Sequence, residues 1–165
     1  MAGNQVQIFD STLRDGVQGQ GISFSLEDKL KIVKALDDIQ VDFIEAGNPG
    51  SNPKDMEFFK RLKDIELKHS KIAAFGSTRR PNIKVEEDKN IKDLLSSEAD
   101  VVVIFGKSWD FQVTDIIRTS LEENIQMIKD TIKYLCSKNK KVIFDAEHFY
   151  DGYKANRDYA IKTIK

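Results

Sequence analysis

The sequence predicts an α/β fold built from five strand–loop–helix units. Three observations predict it. Five short apolar runs, ending near residues 10, 46, 75, 105 and 146, are each followed by a polar loop and then by apolar residues at helical spacing. The run ends recur roughly 30 to 40 residues apart, the length of a βα unit. The polar and charged clusters fall after the strands. A doubly wound sheet and a (β/α)₈ barrel cut to its first five units both satisfy the period. The third observation leans to the barrel, because barrel enzymes build their sites on the loops that follow the strands.

Val6–Phe9 reads as the first strand. Ser25 with Asp28 has capping-box spacing, and Leu26, Leu30, Val33 and Leu36 make one helical stripe. Residues 41–47 form the second strand, with Glu45 near its carboxyl end. Asn52 and Pro53 suit the cap and first position of the next helix, whose inner face is Met56, Phe59 and Leu62. Residues 71–75 are the third strand. Val85 to Asn90 is charged and expected to be exposed, and Ile91, Leu94 and Leu95 mark a short helix. Val101–Phe105 is continuously apolar, as befits a strand covered on both faces. Ser120 and Glu123 suggest a second capping box, ahead of a stripe of Leu121, Ile125, Ile128, Ile132 and Leu135. Residues 142–146 are the fifth strand, and a fifth helix starts near Asn156.

Composition bounds the function. The chain has 165 residues, 26 basic and 27 acidic, for a net charge of −1. This balance gives no bulk attraction to nucleic acid or an anionic membrane. No apolar run approaches the roughly 20 residues of a membrane helix. Met1–Asn4 has neither a basic nor an apolar leader segment. The one cysteine, Cys136, allows no internal disulfide, which fits a reducing cytoplasm. It reads as a packing residue on its helix. No linker or low-complexity stretch divides residues 1–165, so a single domain is expected. Gly19-Gln20-Gly21 lacks the third glycine of a dinucleotide fingerprint.

The densest chemistry lies in Asp10-Ser11-Thr12-Leu13-Arg14-Asp15-Gly16-Val17-Gln18. Aspartate is a hard oxygen ligand, suited to Mg²⁺ or Mn²⁺. Arginine is an always-charged donor for an oxyanion or carboxylate. The same residues would also serve as a salt-bridged turn.

This stretch resembles the signature of the isopropylmalate, homocitrate and citramalate synthases and their metal-dependent lyase relatives. Residues 19–25, Gly-Gln-Gly-Ile-Ser-Phe-Ser, and residues 148–156, His-Phe-Tyr-Asp-Gly-Tyr-Lys-Ala-Asn, are similar to the citramalate branch. The resemblance covers the whole chain but only the first part of the family's catalytic domain. It implies a (β/α)₈ barrel of which about five units are present. It implies a reaction of acetyl-CoA with a 2-oxo acid, pyruvate on the citramalate branch, and a place in isoleucine synthesis. It also implies a divalent metal, Mg²⁺, Mn²⁺ or Zn²⁺.

By resemblance, Asp15 matches the metal-binding aspartate and Arg14 the arginine that polarises the ketone. Gln18 and Glu45 match residues at the substrate end, and Glu147 an acid that assists the chemistry; the alternative for Glu45 is an ion pair with an arginine such as Arg14, and Asp10 is placed either to hold Arg14 or to touch substrate. The family completes its metal site with a His-x-His pair, which this chain lacks. Its two histidines are His69, expected at the far end of the barrel, and His148, expected near the site. The chain is therefore expected to be an incomplete site, inactive alone. Its unpaired strand edges are expected to drive self-association. The alternatives are another 2-oxo acid, a related lyase, or a fragment without catalysis.

Overall fold

The computed structural model describes residues 6–165; the leader reading of Met1–Asn4 lies outside them. Five strands, β1 (Phe9–Asp10), β2 (Phe43–Gly47), β3 (Lys71–Ser77), β4 (Val101–Lys107) and β5 (Lys141–Glu147), form one sheet in the order β1-β2-β3-β4-β5. All four pairings are parallel. The helices are α1 (Leu26–Asp38), α2 (Pro53–Leu62), α3 (Lys89–Ser96), α4 (Leu121–Ser137), α5 (Phe149–Ala155) and α6 (Arg157–Ile164).

The strand order decides between the two architectures. A doubly wound sheet reverses its order at a switch point. Here each strand lies beside its predecessor, so right-handed crossovers keep all the helices on one side. The packing agrees. Ile44, Ala46, Ala74, Val102 and Ile104 share one core with Leu30 and Val33 of α1, Phe58 and Phe59 of α2, Ile91 and Leu94 of α3, and Leu135 of α4. Side chains alternate along a strand, so the other face carries Phe43, Ala73, Val101 and Val103, flanked by Phe75 and Ile143. This is a half-barrel with helices outside and a partly apolar inner face.

Local signals explain where the helices begin. Ser25 and Asp28 form the full reciprocal capping box. Asn52 caps α2 at Lys54 N, with Pro53 in the first turn. Asn156 caps α6 through Tyr159 N. Asp37, at the end of α1, accepts from the backbone N–H groups of Lys68, His69 and Ser70 at 2.8, 2.9 and 2.7 Å. That staple sets the turn into β3.

Several expectations are corrected. The first strand is shorter than Val6–Phe9, and Val6 and Ile8 are exposed. The second capping box is only half formed. Ser120 Oγ accepts from Glu123 N, but the Glu123 carboxylate is taken by Arg79, at 2.7 Å. On α4, Asn124, Met127, Ile128, Thr131 and Leu135 are buried, so the buried face is rotated from the apolar stripe. Thr131 accepts from Arg79 N and Asn124 donates to Lys107 O, so polar groups there serve buried backbone. Phe58 is fully buried, whereas Met56 is only half-buried. Val85 and Asp88 are buried within the stretch expected to be exposed, because Asp88 caps α3 and bonds Arg80 N. Cys136 is exposed. Among the described residues, no helix is long and apolar enough to cross a membrane.

Candidate active site

The loop after β1 is held by its own backbone. Ser11 O accepts from the N–H groups of Arg14, Asp15 and Gly16 at 3.1, 2.9 and 3.1 Å. Asp10 accepts from Thr12 N and Thr12 Oγ1, both at 3.0 Å, so it shapes the turn rather than holding Arg14. Leu13 is fully buried and anchors the loop in the core. Arg14 is then aimed at the inner strand ends.

Three groups fix Arg14. Its Nε donates to Glu45 Oε2 at 2.7 Å, and its Nη1 to Asp15 Oδ1 at 3.1 Å. Its guanidinium carbon lies 4.0 Å from the centroid of the Phe75 ring, a cation–π distance. Glu45 is 1 % exposed, and its second oxygen, Oε1, has no hydrogen-bond partner among the described residues. Burial pushes the Glu45 carboxyl up, against the pull of Arg14. Asp15 differs: its side chain is 65 % exposed, so the carboxylate is open to a ligand.

Gln18 lies in the short 3-10 turn Gly16–Gln18 and is exposed. With Arg14 it lines a cleft of about 480 Å³ between the loops after β1 and β2, walled by Phe24, Asn48, Phe58 and Phe75. Gly47 lets the chain turn into the second loop. Its φ is +149°, and an added Cβ would lie 2.7 Å from Asp55 Oδ2. Asp55 itself holds Asn48 N at 3.0 Å and Lys29 Nζ at 3.0 Å.

Glu147 ends β5, directly opposite Lys107 of β4 in the sheet register. Lys107 Nζ donates to the Glu147 carboxylate. The same ammonium lies 5.6 Å from the Phe105 ring centroid, and Phe105 stacks on Phe75 at 5.1 Å. Asp145, two residues before Glu147, points to the same face by strand alternation. Burial and the Glu147 charge push its carboxyl up, while Arg14 and Lys107 draw it down.

The structure thus joins Arg14, Asp15 and Glu45 directly. Gln18 sits with Arg14 on the cleft, and Glu147 on β5 pairs with Lys107 on β4, three and two strands from Glu45 on β2. Phe75, Phe105, Lys107 and Asp145 belong to this surface and were missed in the sequence reading. Counting back by twos from Glu147 would have found Asp145; Lys107 needed the strand to extend past Phe105.

The two histidines lie apart. His69 precedes β3 at the opposite end, 3.6 Å from Asp42 Oδ1. His148 has a left-handed backbone, φ +53°, and its Nδ1 lies 3.3 Å from Asp151 Oδ2. Among the described residues, no three His, Cys, Asp or Glu side chains converge to hold a metal ion. Asp15 offers one suitable oxygen donor, and these residues alone do not complete a metal site.

The HMGL-like family model matches residues 5–161. An (R)-citramalate synthase of Geobacter sulfurreducens is 54 % identical over 160 residues, covering 97 % of this chain and 30 % of that protein. One from Aquifex aeolicus is 53 % identical over 161 residues, covering 98 % and 30 %. Homocitrate synthase of Sulfurisphaera tokodaii matches at 33 %, covering 98 % of this chain and 33 % of that protein. This chain therefore spans about a third or less of the length of these relatives. The solved hydroxymethylglutaryl-CoA lyase of Pseudomonas aeruginosa superposes with a TM-score of 0.63 at 20 % identity, over 85 % of this chain and 45 % of the lyase, which supports the half-barrel fold. With the family model matching nearly end to end and Arg14 and Asp15 set at the inner strand ends, the chain belongs to the HMGL-like family.

Proposed function

We propose that this half-barrel carries part of a site that condenses acetyl-CoA with pyruvate, giving citramalate and CoA, in isoleucine synthesis. One observation supports it above the others. Arg14 is locked by the buried Glu45 and the Phe75 ring at the mouth of the half-barrel, beside the open carboxylate of Asp15. A fixed guanidinium needs no reorganisation when charge develops, which is the condition for strong oxyanion stabilisation.

In this reading, the methyl carbon of acetyl-CoA bonds to the ketone carbon of the 2-oxo acid, and water then cleaves the thioester. Arg14 donates to the ketone oxygen as it becomes an alkoxide. Gln18 orients the substrate from the cleft wall, and Glu45 keeps Arg14 aimed. Glu147 accepts a hydrogen bond or proton at the β5 end. Asp15 supplies one ligand to a divalent cation, Mg²⁺, Mn²⁺ or Zn²⁺. Such an ion would supply Lewis-acid chemistry beside Asp15. The base that takes the methyl proton is not assigned to a residue of this chain.

Isopropylmalate or homocitrate synthesis, with another 2-oxo acid, is the nearest second reading. The lack of a converging ligand set among the described residues favours a further one, that these 165 residues alone do not turn over. The test is thiol release from acetyl-CoA with Mg²⁺ or Mn²⁺. Pyruvate, 2-oxobutyrate, 2-oxoisovalerate and 2-oxoglutarate would be offered to this chain and to a form continued to the relatives' length. Turnover only in the longer form, best with pyruvate, is the expected result. Preference for another acid would replace citramalate as the product. Turnover by the 165 residues alone would remove the need for further ligands.

A further inference from the structure

On the inner face, one lysine is held in a way that surface lysines are not. Lys107 is the last residue of β4, and its side chain is 18 % exposed. Its ammonium meets the Glu147 carboxylate from the facing register position and lies over the Phe105 ring. The lysine is thus fixed by a charge partner, an aromatic face and its strand. An exposed ion pair on flexible stems has no such definition.

Two carboxylates compete for this ammonium. Asp145 and Glu147 lie two residues apart on one strand face, so they are near neighbours of like charge. Lys107 bonds Glu147, and among the described residues the Asp145 side chain has no hydrogen bond from it. Arg14 from the loop after β1 and Glu45 from β2 lie within electrostatic reach of Asp145. Arg14 is already taken by Glu45 and Asp15. Arg14 acts on Asp145 from a distance, and Lys107 is the cation that bonds Glu147 itself.

We propose that Lys107 is a positioning residue that holds the Glu147 carboxylate on the inner face of the half-barrel. The stacked Phe75 and Phe105 rings tie this ion pair to the Arg14 cluster, so two cations stand over one aromatic pair. The inference deepens the reading of Glu147 as a site residue and rests on it for its catalytic consequence. The ion pair itself does not depend on that reading.

The first test needs no substrate. In ¹⁵N-detected NMR of lysine ammonium groups, Lys107 of the 165-residue chain should give a signal in slow exchange with water, assigned by its loss in Lys107→Arg. Glu147→Gln should abolish that signal, and Asp145→Asn should leave it. A signal absent from the wild type, or surviving Glu147→Gln, overturns the proposal. The second test uses the catalytically competent longer form. Lys107→Met should lower kcat about a hundredfold, the scale of a misplaced reacting group. KM for acetyl-CoA should be unchanged, and Lys107→Arg should restore most of the loss. Added to Glu147→Gln, Lys107→Met should cost nothing further, because the two act as one unit. Additive losses would overturn the proposal. Failure of the acetyl-CoA panel with the Lys107 signal intact would refute the condensing reading and leave the ion pair standing.

Discussion

At the scale of single residues, the site is a problem of buried charge. Glu45 is nearly inaccessible and has one oxygen on Arg14. Removing one partner of a buried pair leaves the other uncompensated and costs about 3 to 5 kcal/mol. Arg14→Ala should therefore both abolish turnover in the longer form and destabilise this chain. Adding Glu45→Ala should recover much of the stability in urea unfolding but none of the activity. Recovered activity would remove Arg14 from the chemistry. Asp37 shows the opposite use of a carboxylate. Burial by itself would raise it, but the N–H groups of Ser70, Lys68 and His69 bring it down to about 2. A depressed acid stabilises the fold above its unfolded value and loses that contribution as pH falls through the folded one. Asp37→Ala should cost roughly 3 kcal/mol at pH 7. Between pH 4 and pH 2 the wild type should lose its advantage over Asp37→Ala. Equal urea midpoints at pH 7 would refute the staple. Asp145 runs the other way: its raised carboxyl is a liability when charged. Asp145→Asn should raise the urea midpoint at pH 7 and make no difference at pH 3.

At the scale of elements, the loop after β5 is set by close backbone packing. His148 adopts a left-handed conformation and α5 follows at once. A Cβ on Gly152 would lie 2.2 Å from Ser108 O, a backbone atom that cannot step aside cheaply. Gly152→Ala should cost about 1 to 3 kcal/mol, as overpacking does. It should also disturb Trp109, whose ring stands 6.1 Å from that of His148. An unchanged tryptophan emission and urea midpoint would show that α5 can shift. This links the His-Phe-Tyr-Asp-Gly stretch to function through position: it seats the loop that follows Glu147 against the loop that follows Lys107. Sequence reading recognised the stretch but not α5, because a seven-residue helix fits within a loop and has no apolar period of its own.

At the scale of the molecule, the sheet is open. β1 and β5 each have one paired neighbour, and Phe9, Phe43, Val103 and Ile143 stand on the inner face. Open edges and apolar faces recruit other chains. We propose that the 165-residue chain self-associates, and light scattering should report dimers or larger species that grow with concentration. A strict monomer at high concentration would refute this.

What the sequence determined alone was local. Strand and helix periods, the Ser25 and Asn52 caps, and the crowding of Arg14 and Asp15 after the first strand all depend on neighbours within a few residues. Those interactions act in any context, so they can be read from the order of residues. Contacts between groups far apart in the chain were settled only by the fold. The sequential strand order excluded a doubly wound sheet. Glu45 reached Arg14 from 31 residues away, and Glu147 reached Lys107 from 40. Arg79 took Glu123 from its expected cap across 44 residues. Such pairings follow from where the sheet places strand ends, and charge alone does not choose among the many carboxylates available.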